Sequence, residues 1–289
     1  MIEEFHSNQQ IKKILVIGPQ NLDGFTSKIK FEIIKVKGKF FITKEPWFAI
    51  ACRRQLIKIL KHEQYDLIHT HFSILARDFG IPLVATFHTT HYGLAKAGYG
   101  RQMALWVGRL FHFLYDLFDR ITFKHADGIV FVSQNNKALT LARHPHLSGK
   151  SFYIPNSVDT NRFFPLPNEH RDKIKSRYGL DLFAFNVLFV GRLEYMKGFS
   201  YLIEACKQIP GITLMIAGDG YLAKEFANYR FIRHLKYVPN ERMNEVYNMA
   251  DVYVLPSLYE NCPSTILEAM ACCLPIISTP VGDVINILP

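Results

Sequence analysis

The sequence lacks the features of a secreted, disulfide-bonded or membrane-spanning protein. Its five cysteines are an odd number, lie scattered along the chain and form no C-x-x-C pair, which fits a reducing cytosol better than a disulfide framework. The N-terminal segment MIEEFHSNQQ is polar and contains no apolar signal region. No uncharged stretch reaches the length that spans a bilayer. We therefore expect a cytoplasmic protein that is soluble or peripheral.

The chain also lacks runs of Lys or Arg, although its formal net charge is +9. A basic protein favours anionic partners such as nucleotides, nucleic acids or acidic membrane surfaces. Nucleic acid is the weakest of these interpretations, because no known nucleic-acid-binding motif accompanies the charge. The 289 residues, 49% of them hydrophobic, suffice for two domains of ordinary size, each with its own core.

The segment 251–282 predicts a strand, a loop, a helix and a second strand in that order. Val252–Leu255 is an apolar run of strand length, and 274–278 is strand-like again. Pro263 suits the first turn of the helix predicted over 265–272, because proline has a fixed φ and no N–H group. This order places the free N–H groups of a helix N-terminus at the rim of a sheet, where anions bind.

Two glutamates flank this predicted rim. Glu260 precedes the helix, and Glu268 lies in its second turn. Carboxylates accept hydrogen bonds from sugar hydroxyls and amides take phosphate, so the natural guest is an anionic ligand that bears hydroxyls. Two solvent-facing glutamates on an ordinary helix are the simpler alternative.

The string ENCPSTILEAMACCLPII resembles the donor-site signature of retaining glycosyltransferases of family 4, which have the GT-B fold. In that family two glutamates separated by seven residues precede an Ala-Met-Ala helix, and Glu260 and Glu268 have this spacing. The resemblance implies that Glu260 contacts hydroxyls of the donor sugar and that Glu268 contacts the ribose. It also implies that the backbone amides near Ser264, Thr265 and Ile266 face the diphosphate.

A second motif supplies the cationic part of the predicted donor site. Gly191-Arg192 follows the predicted strand 186–190, and four residues later Lys197-Gly198 leads into a predicted helix. Cations beside a helix N-terminus suit a diphosphate, Arg as a planar fork and Lys as a point charge. The resemblance agrees, because this spacing marks the diphosphate site of the family. It implies that Arg192 and Lys197 neutralise the departing nucleoside diphosphate.

Two weaker signals complete the predicted site. Gly218 begins a Gly-Asp-Gly turn after the predicted strand 213–217, and such a turn alone is only a strand-to-helix connection. Its position matches the family, which makes Gly191 and Gly218 candidate donor-binding residues. By the same resemblance Tyr237 and Val238, at a predicted strand end, lie near the nucleobase.

Four histidines, His69, His71, His88 and His91, lie at the ends of two predicted strands, Asp66–Thr70 and Pro82–Phe87. Imidazoles are common metal ligands, but no helical H-E-x-x-H motif is present, and polar residues at strand ends are the simpler interpretation. The resemblance gives a third: His88 matches the family histidine that faces the interdomain cleft and contacts the donor sugar. No Asp-x-Asp motif is present, so we expect no metal requirement and no cofactor besides a UDP- or GDP-sugar co-substrate.

The beginning of the chain departs from the family pattern. Related enzymes carry a glycine-rich loop and a helix after the first strand, but here 20–28 is too short for a comfortable crossover helix. We therefore predict a hairpin over 29–43, followed by a helix over Trp47–Lys61. Gly24 is the one residue that could replace the phosphate-approaching glycines, and a turn is its simpler interpretation.

The segment 102–124 has helical periodicity, many large aromatic residues and several basic ones. Two interpretations remain open. It is a core helix of the first domain, or it is a basic amphipathic helix that makes peripheral contact with the inner face of an acidic membrane. The second is included because many relatives act on lipid-linked acceptors.

The resemblance implies an α/β protein with two Rossmann-like domains that face a cleft. We place the N-terminal, acceptor-side domain at 1–167 and the C-terminal, nucleotide-sugar-binding domain at 168–289. The implied reaction transfers a sugar from a nucleotide-sugar to a hydroxyl acceptor (a glycan, a lipid-linked acceptor or a small molecule) with retention of anomeric configuration.

Two further departures from the family pattern lie in the later part of the chain. Cys273 stands where the family has a glycine, and a left-handed non-glycine residue costs roughly 1 kcal/mol or more. The chain also ends at Pro289, whereas family members continue with further strands and helices. The missing glycine-rich loop of the first domain and the missing C-terminal portion favour an alternative function, that of a non-catalytic or truncated homologue that binds nucleotide-sugar or acts as a partner subunit. A sugar-nucleotide epimerase of the same general fold fits the motifs less well.

Overall fold

The computed structural model describes residues 14–18, 29–33, 41–71, 76–98, 105–226 and 229–288. Within these ranges the strands are Ile14–Gly18 (β1), Ile29–Ile33 (β2), Ile68–Thr70 (β3), Leu83–Phe87 (β4), Gly128–Phe131 (β5), Ser151–Tyr153 (β6), Phe185–Val190 (β7), Ile212–Ala217 (β8), Ile232–Lys236 (β9), Val252–Leu255 (β10) and Ile276–Ser278 (β11). The α-helices are Phe41–Leu60 (α1), His91–Lys96 (α2), Leu105–His125 (α3), Gln134–Arg143 (α4), Asn168–Arg177 (α5), Phe199–Cys206 (α6), Met243–Asn248 (α7), Ser264–Ala271 (α8) and Val284–Ile287 (α9).

The described strands form three sheets. β1 pairs with β2, the second sheet has the order β3-β4-β5-β6, and the third has the order β11-β10-β7-β8-β9. All neighbours in the third sheet run parallel. Alternation of strands with helices produces such sheets, because a parallel pair needs a crossover connection. The predicted α/β class is therefore confirmed.

The five-stranded sheet is covered on both faces, which explains why its central strands read as continuous apolar runs. Leu188, Met215 and Tyr253 point to one face and pack with α7 and α8. Phe189 and Leu214 point to the other face and pack with α6. Successive side chains of a strand alternate between faces, so each strand contributes to both cores and holds the loops at its carboxyl end in place.

The predicted hairpin over 29–43 is wrong. β2 pairs with β1 in parallel register, with Ile14 opposite Ile29, and Phe41 is already the first residue of α1. A strand of this composition serves either pairing direction, and a short apolar run cannot distinguish a strand from the first turn of a helix. Gly24 lies outside the described residues.

Two helix ends in the later chain have well-defined capping geometry. Ser133 caps α4 by accepting a hydrogen bond from the Asn136 amide, as an N-cap serine does. Cys273 has a φ of 55°, so it carries the left-handed conformation that the family gives to glycine. Its amide donates to the Met270 carbonyl at 2.9 Å and ends α8.

The chain groups into two compact units. The first takes 1–91, 101–130 and 147–152, and the second takes 92–100, 131–146 and 153–289. The five-stranded sheet and α8 therefore belong to the second unit. A domain boundary near residue 167 stays a prediction. Among the described residues, no helix combines the length and apolarity that a membrane crossing needs.

Candidate functional site

Glu260 and Lys197, which are 63 positions apart in the sequence, form an ion pair at the carboxyl end of the five-stranded sheet. Lys197 Nζ lies 2.6 Å from Glu260 Oε1, and Ser257 Oγ donates to the same oxygen at 2.8 Å. The amide of Leu258 donates to the Met196 carbonyl at 2.8 Å, so the two loops are also joined through their main chains. The structure thus brings together one residue from each of the two predicted motifs.

Two glycines allow the loops of this rim to approach each other closely. Gly198 has a φ of 62°, and a Cβ added to it would overlap the carbonyl oxygen of Pro256. Gly218 has a φ of 139°, and its Cβ would overlap the carbonyl oxygen of Gly191. Only glycine adopts these conformations without strain and leaves the space that the neighbouring carbonyls occupy. The amide of Gly191 also donates to the Ala217 carbonyl at 3.0 Å. Main-chain atoms of these loops therefore form the floor of the candidate site.

Arg192 lies in a separate ion pair. Its Nη1 is 2.7 Å from Glu194 Oε1, and its side chain is 69% exposed. Exposed pairs of this kind contribute about 0–1 kcal/mol. The guanidinium can therefore leave Glu194 at little cost when a more highly charged anion arrives.

The N-terminus of α8 has no side-chain cap, because the N-cap position is Pro263. The Ile266 amide donates to the Pro263 carbonyl at 3.2 Å. Within the described part of the chain, no acceptor is recorded for the amides of Ser264 and Thr265. Of the three predicted amides, these two are the donors that remain for an anion.

Glu268 and Thr265 project from α8 and are each held by a buried tyrosine. The Tyr247 hydroxyl donates to Glu268 Oε2 at 2.7 Å, and the Tyr253 hydroxyl donates to Thr265 Oγ1 at 2.7 Å. Burial raises the pKa of the Glu268 carboxyl, while the hydrogen bond from Tyr247 and the charge of Arg162 oppose the rise. The motif-based prediction missed both tyrosines, because hydrophobic patterning assigns them only to the core.

The predicted nucleobase residues follow β9. Lys236 ends that strand with a φ of 58°, and its carbonyl accepts from the Gly218 amide at 2.8 Å. Tyr237 comes next and is 79% exposed, so its ring is accessible to a flat ligand. Val238, which is partly buried, packs against the core below α7 and α8.

Three of the four candidate histidines lie together in the first unit. His71 Nδ1 is 3.1 Å from His88 Nε2, and His69 Nε2 is 2.8 Å from Thr86 Oγ1. Desolvation lowers the pKa of His88. Desolvation, together with the charges of His69 and His88, lowers the pKa of His71 to about 4. These rings are therefore neutral hydrogen-bonding groups at neutral pH.

The fourth histidine has a different partner. His91 Nδ1 is 3.1 Å from Asp119 Oδ1, and its amide donates to the other oxygen of the same carboxylate at 2.7 Å. Across the described residues, no group of three or more His, Cys, Asp or Glu side chains is arranged to hold a metal ion. The predicted histidine cluster thus divides into a group of three and a separate His91–Asp119 pair.

Two family models cover nearly the whole chain. Residues 16–162 match Glycosyltransferase Family 4, and residues 170–288 match Glycosyl transferases group 1. The chain is 33% identical over 245 residues to UDP-Gal:alpha-D-GlcNAc-diphosphoundecaprenol alpha-1,3-galactosyltransferase of Escherichia coli. That match takes in 77% of this chain and spans 59% of the length of the relative.

Solved structures of glycosyltransferases share the fold. WaaG, a glycosyltransferase involved in lipopolysaccharide biosynthesis, superposes with a TM-score of 0.78 and 17% identity over 97% of this chain and 75% of that chain. HepE of Anabaena in complex with UDP-glucose gives a TM-score of 0.66 and 17% identity over 91% of this chain and 70% of that one. The matches together show that this chain belongs to the family 4 glycosyltransferases and has the GT-B fold.

Proposed function

We propose that this chain binds a UDP- or GDP-sugar and transfers the sugar to a hydroxyl acceptor with retention of configuration and without a metal ion. The observation that carries the proposal is the Lys197–Glu260 pair, which lies at a sheet rim beside the uncapped N-terminus of α8. This arrangement combines a cation, free amides and a hydroxyl-accepting carboxylate. The alternative function, nucleotide-sugar binding without turnover, uses the same residues and differs only in the absence of product.

The cations act on the leaving group. As the bond between sugar and diphosphate breaks, negative charge develops on the phosphate oxygens. Lys197, Arg192 and the amides of Ser264 and Thr265 stabilise that charge without large rearrangement. Because the exposed Arg192–Glu194 pair is weak and salt-screened, Arg192 turns toward the diphosphate when the donor binds.

The remaining residues position the donor. Glu260 accepts from hydroxyls of the sugar, which holds it in a reactive geometry. His88, as a neutral imidazole, keeps the sugar-contacting role that the resemblance implies. Glu268 accepts from the ribose, and Tyr237 and Val238 bind the nucleobase. The acceptor hydroxyl attacks from the face that the diphosphate leaves and passes its proton to the departing phosphate oxygen, so the product keeps the anomeric configuration of the donor.

Helix α3 supports a lipid-linked acceptor at the cytoplasmic face of a membrane. Phe113 is 68% exposed and Leu117 47% exposed, and Arg120 and Lys124 are also exposed. These positions follow the spacing of a single helix face. Tyr115 is buried on another side of the helix, so α3 packs on the core and also presents an apolar, basic face, as peripheral membrane helices do. The Escherichia coli relative is named for an acceptor attached to diphosphoundecaprenol.

Calorimetric titration of the purified chain with UDP-, GDP- and ADP-sugars tests the donor site. Saturable binding that is lost in Arg192→Ala and Glu268→Ala, and kept in the exposed-arginine control Arg54→Ala, would establish it and identify the base. Donor-dependent product, with its anomeric configuration read by NMR, would then separate the transferase from the non-catalytic alternative. Failure of every donor to bind would overturn the proposal.

A further inference from the structure

Two tyrosines that the proposed reaction does not use lie directly beneath α8. Tyr247 belongs to α7 and Tyr253 to β10, and both are 0% exposed. Their ring centroids are 5.9 Å apart in an edge-to-face arrangement. Phe163 packs edge-to-face on Tyr247, with ring centroids again 5.9 Å apart. The aromatic rings thus form a rigid layer with two hydroxyl groups.

The hydroxyls are better explained by hydrogen bonding than by packing. A buried hydroxyl costs free energy unless it finds a partner, and phenylalanine would fill nearly the same space without that cost. Each hydroxyl has its hydrogen bond with α8: Tyr247 with Glu268 and Tyr253 with Thr265, both at 2.7 Å. The proposed function assigns Glu268 to the ribose and the amide of Thr265 to the diphosphate.

Each hydrogen bond also determines whether its partner accepts or donates a hydrogen bond toward a ligand. Tyr247 occupies Glu268 Oε2, and among the described residues no protein donor is recorded for Oε1, which leaves that oxygen to accept from a ligand. Tyr253 donates to Thr265 Oγ1, so the threonine keeps its own proton to donate. A carboxylate that accepts suits ribose hydroxyls, and a hydroxyl that donates suits a phosphate oxygen.

We propose that Tyr247 and Tyr253 are positioning residues of the donor site: Tyr247 holds Glu268 as the acceptor for one ribose hydroxyl, and Tyr253 holds the Thr265 hydroxyl as a donor to the diphosphate. This inference rests on the proposed function, because both place the nucleotide at α8. It adds to that function that the ribose and the diphosphate of the nucleotide each bind a residue that a different buried tyrosine positions.

The test is calorimetric titration with UDP and GDP and with their 2′-deoxy and 3′-deoxy counterparts. Tyr247→Phe should weaken binding of the parent nucleotide roughly tenfold, as expected for a misplaced hydrogen bond to a charged group. For the analogue that lacks the hydroxyl accepted by Glu268, the variant and the wild type should bind alike. Tyr253→Phe should weaken all ribose and deoxyribose forms by the same factor.

Each variant is the matched control of the other, because both remove one buried hydroxyl from beneath the same helix. A purely structural role would lower affinity for parent and deoxy nucleotides equally in both variants, and that result would overturn the inference, as would wild-type affinity in both. If a tyrosine variant does not fold, as shown by loss of its cooperative melting transition, the partner residues can be replaced instead. Thr265→Val tests the contact with the diphosphate and Glu268→Gln tests the contact with the ribose, and both side chains are only partly buried. Thr265→Val should then match the expectation for Tyr253→Phe, and Glu268→Gln that for Tyr247→Phe; a reversed or uniform pattern would overturn the inference. If the wild-type protein binds no nucleotide at all, that result would contradict the proposed function itself.

Discussion

Asp283 caps helix α4 although it lies 150 positions from that helix's N-cap residue, Ser133. Ser133 Oγ donates to Asp283 Oδ1 at 2.8 Å, and the amides of Gln134 and Asn135 donate to the carboxylate at 2.6 and 3.1 Å. Asp283 is 0% exposed. A carboxylate at a helix N-terminus satisfies free amides and complements the positive end of the helix dipole.

Asp283→Ala should therefore lower the free energy of unfolding by about 2–3 kcal/mol, since three donors lose a charged acceptor in a buried place. Urea denaturation measures this change. Asp172→Ala, at an exposed position of α5, is the control and should change stability by less than about 0.5 kcal/mol. Equal stability of the two variants would contradict the capping role.

Arg192→Ala should reduce kcat about 100-fold or more, as removal of one transition-state donor does in other enzymes. The melting temperature should stay near the wild-type value, because the Arg192–Glu194 pair is exposed. Steady-state kinetics measures the fall in kcat, and thermal melting checks that the melting temperature is unchanged. Arg54→Ala is the control for loss of an exposed arginine, and wild-type turnover in Arg192→Ala would refute the role given to Arg192. Activity should also survive EDTA.

Gly218→Ala should abolish donor binding and lower stability by several kcal/mol, because the added methyl group overlaps the Gly191 carbonyl and φ is unsuitable. Gly149→Ala is the matched control, since its Cβ meets nothing within 4 Å and its φ is not restrictive. Nucleotide titration and urea denaturation compare the two. Normal binding by Gly218→Ala would show that the loop contact is dispensable.

The free energy of unfolding should fall as the pH falls from about 6.5 to 4, in part through His71. Its folded-state pKa is lowered to about 4, so the unfolded chain binds more protons than the folded chain throughout that window. Acidification therefore stabilises the unfolded state relative to the folded state. Because solvent reaches the ring, we expect His71 to account for no more than about 1 kcal/mol. Replacement by Gln should flatten the pH profile by that amount, and an unchanged slope would exclude His71 as a source.

Vesicle sedimentation tests the face of α3. Binding to vesicles that contain phosphatidylglycerol should exceed binding to pure phosphatidylcholine vesicles and should weaken with salt. Phe113→Gln combined with Leu117→Gln should lower the partition coefficient at least tenfold, because both side chains contribute buried apolar area. Phe183→Gln, which removes a phenylalanine that is 97% exposed elsewhere, should have no effect. Equal loss in both variants would indicate non-specific adhesion.

Local sequence signals predicted the parts of the fold that depend on neighbouring residues. The apolar runs of β7, β8 and β10 and the motif around Glu268 act over a few residues, so their positions are close to those predicted. The pairing direction of β1 and β2 depends on tertiary contacts, and there the prediction failed. Ser133 could be predicted as an N-cap, but its partner Asp283 could not, because no local pattern reports a contact across 150 positions.

The same distinction applies to the candidate site. The spacing of Glu260 and Lys197 within their motifs was visible in the sequence, whereas their direct ion pair at 2.6 Å required the fold. The same holds for Tyr247 and Tyr253, since a tyrosine at a core position of a helix or strand cannot be told from any other core aromatic until its hydroxyl is located against α8.

The glycine contacts at the rim limit how the proposed donor site can be re-engineered. Gly198 and Gly218 bring main chain against main chain, so the shape of the floor does not depend on side chains that a library could vary. If Tyr237 and Val238 bind the nucleobase as proposed, a library meant to change the base should keep both glycines and randomise Tyr237, whose ring is accessible to solvent, with Val238 beside it. Variation in the floor itself would sample mainly misfolded loops rather than new specificities.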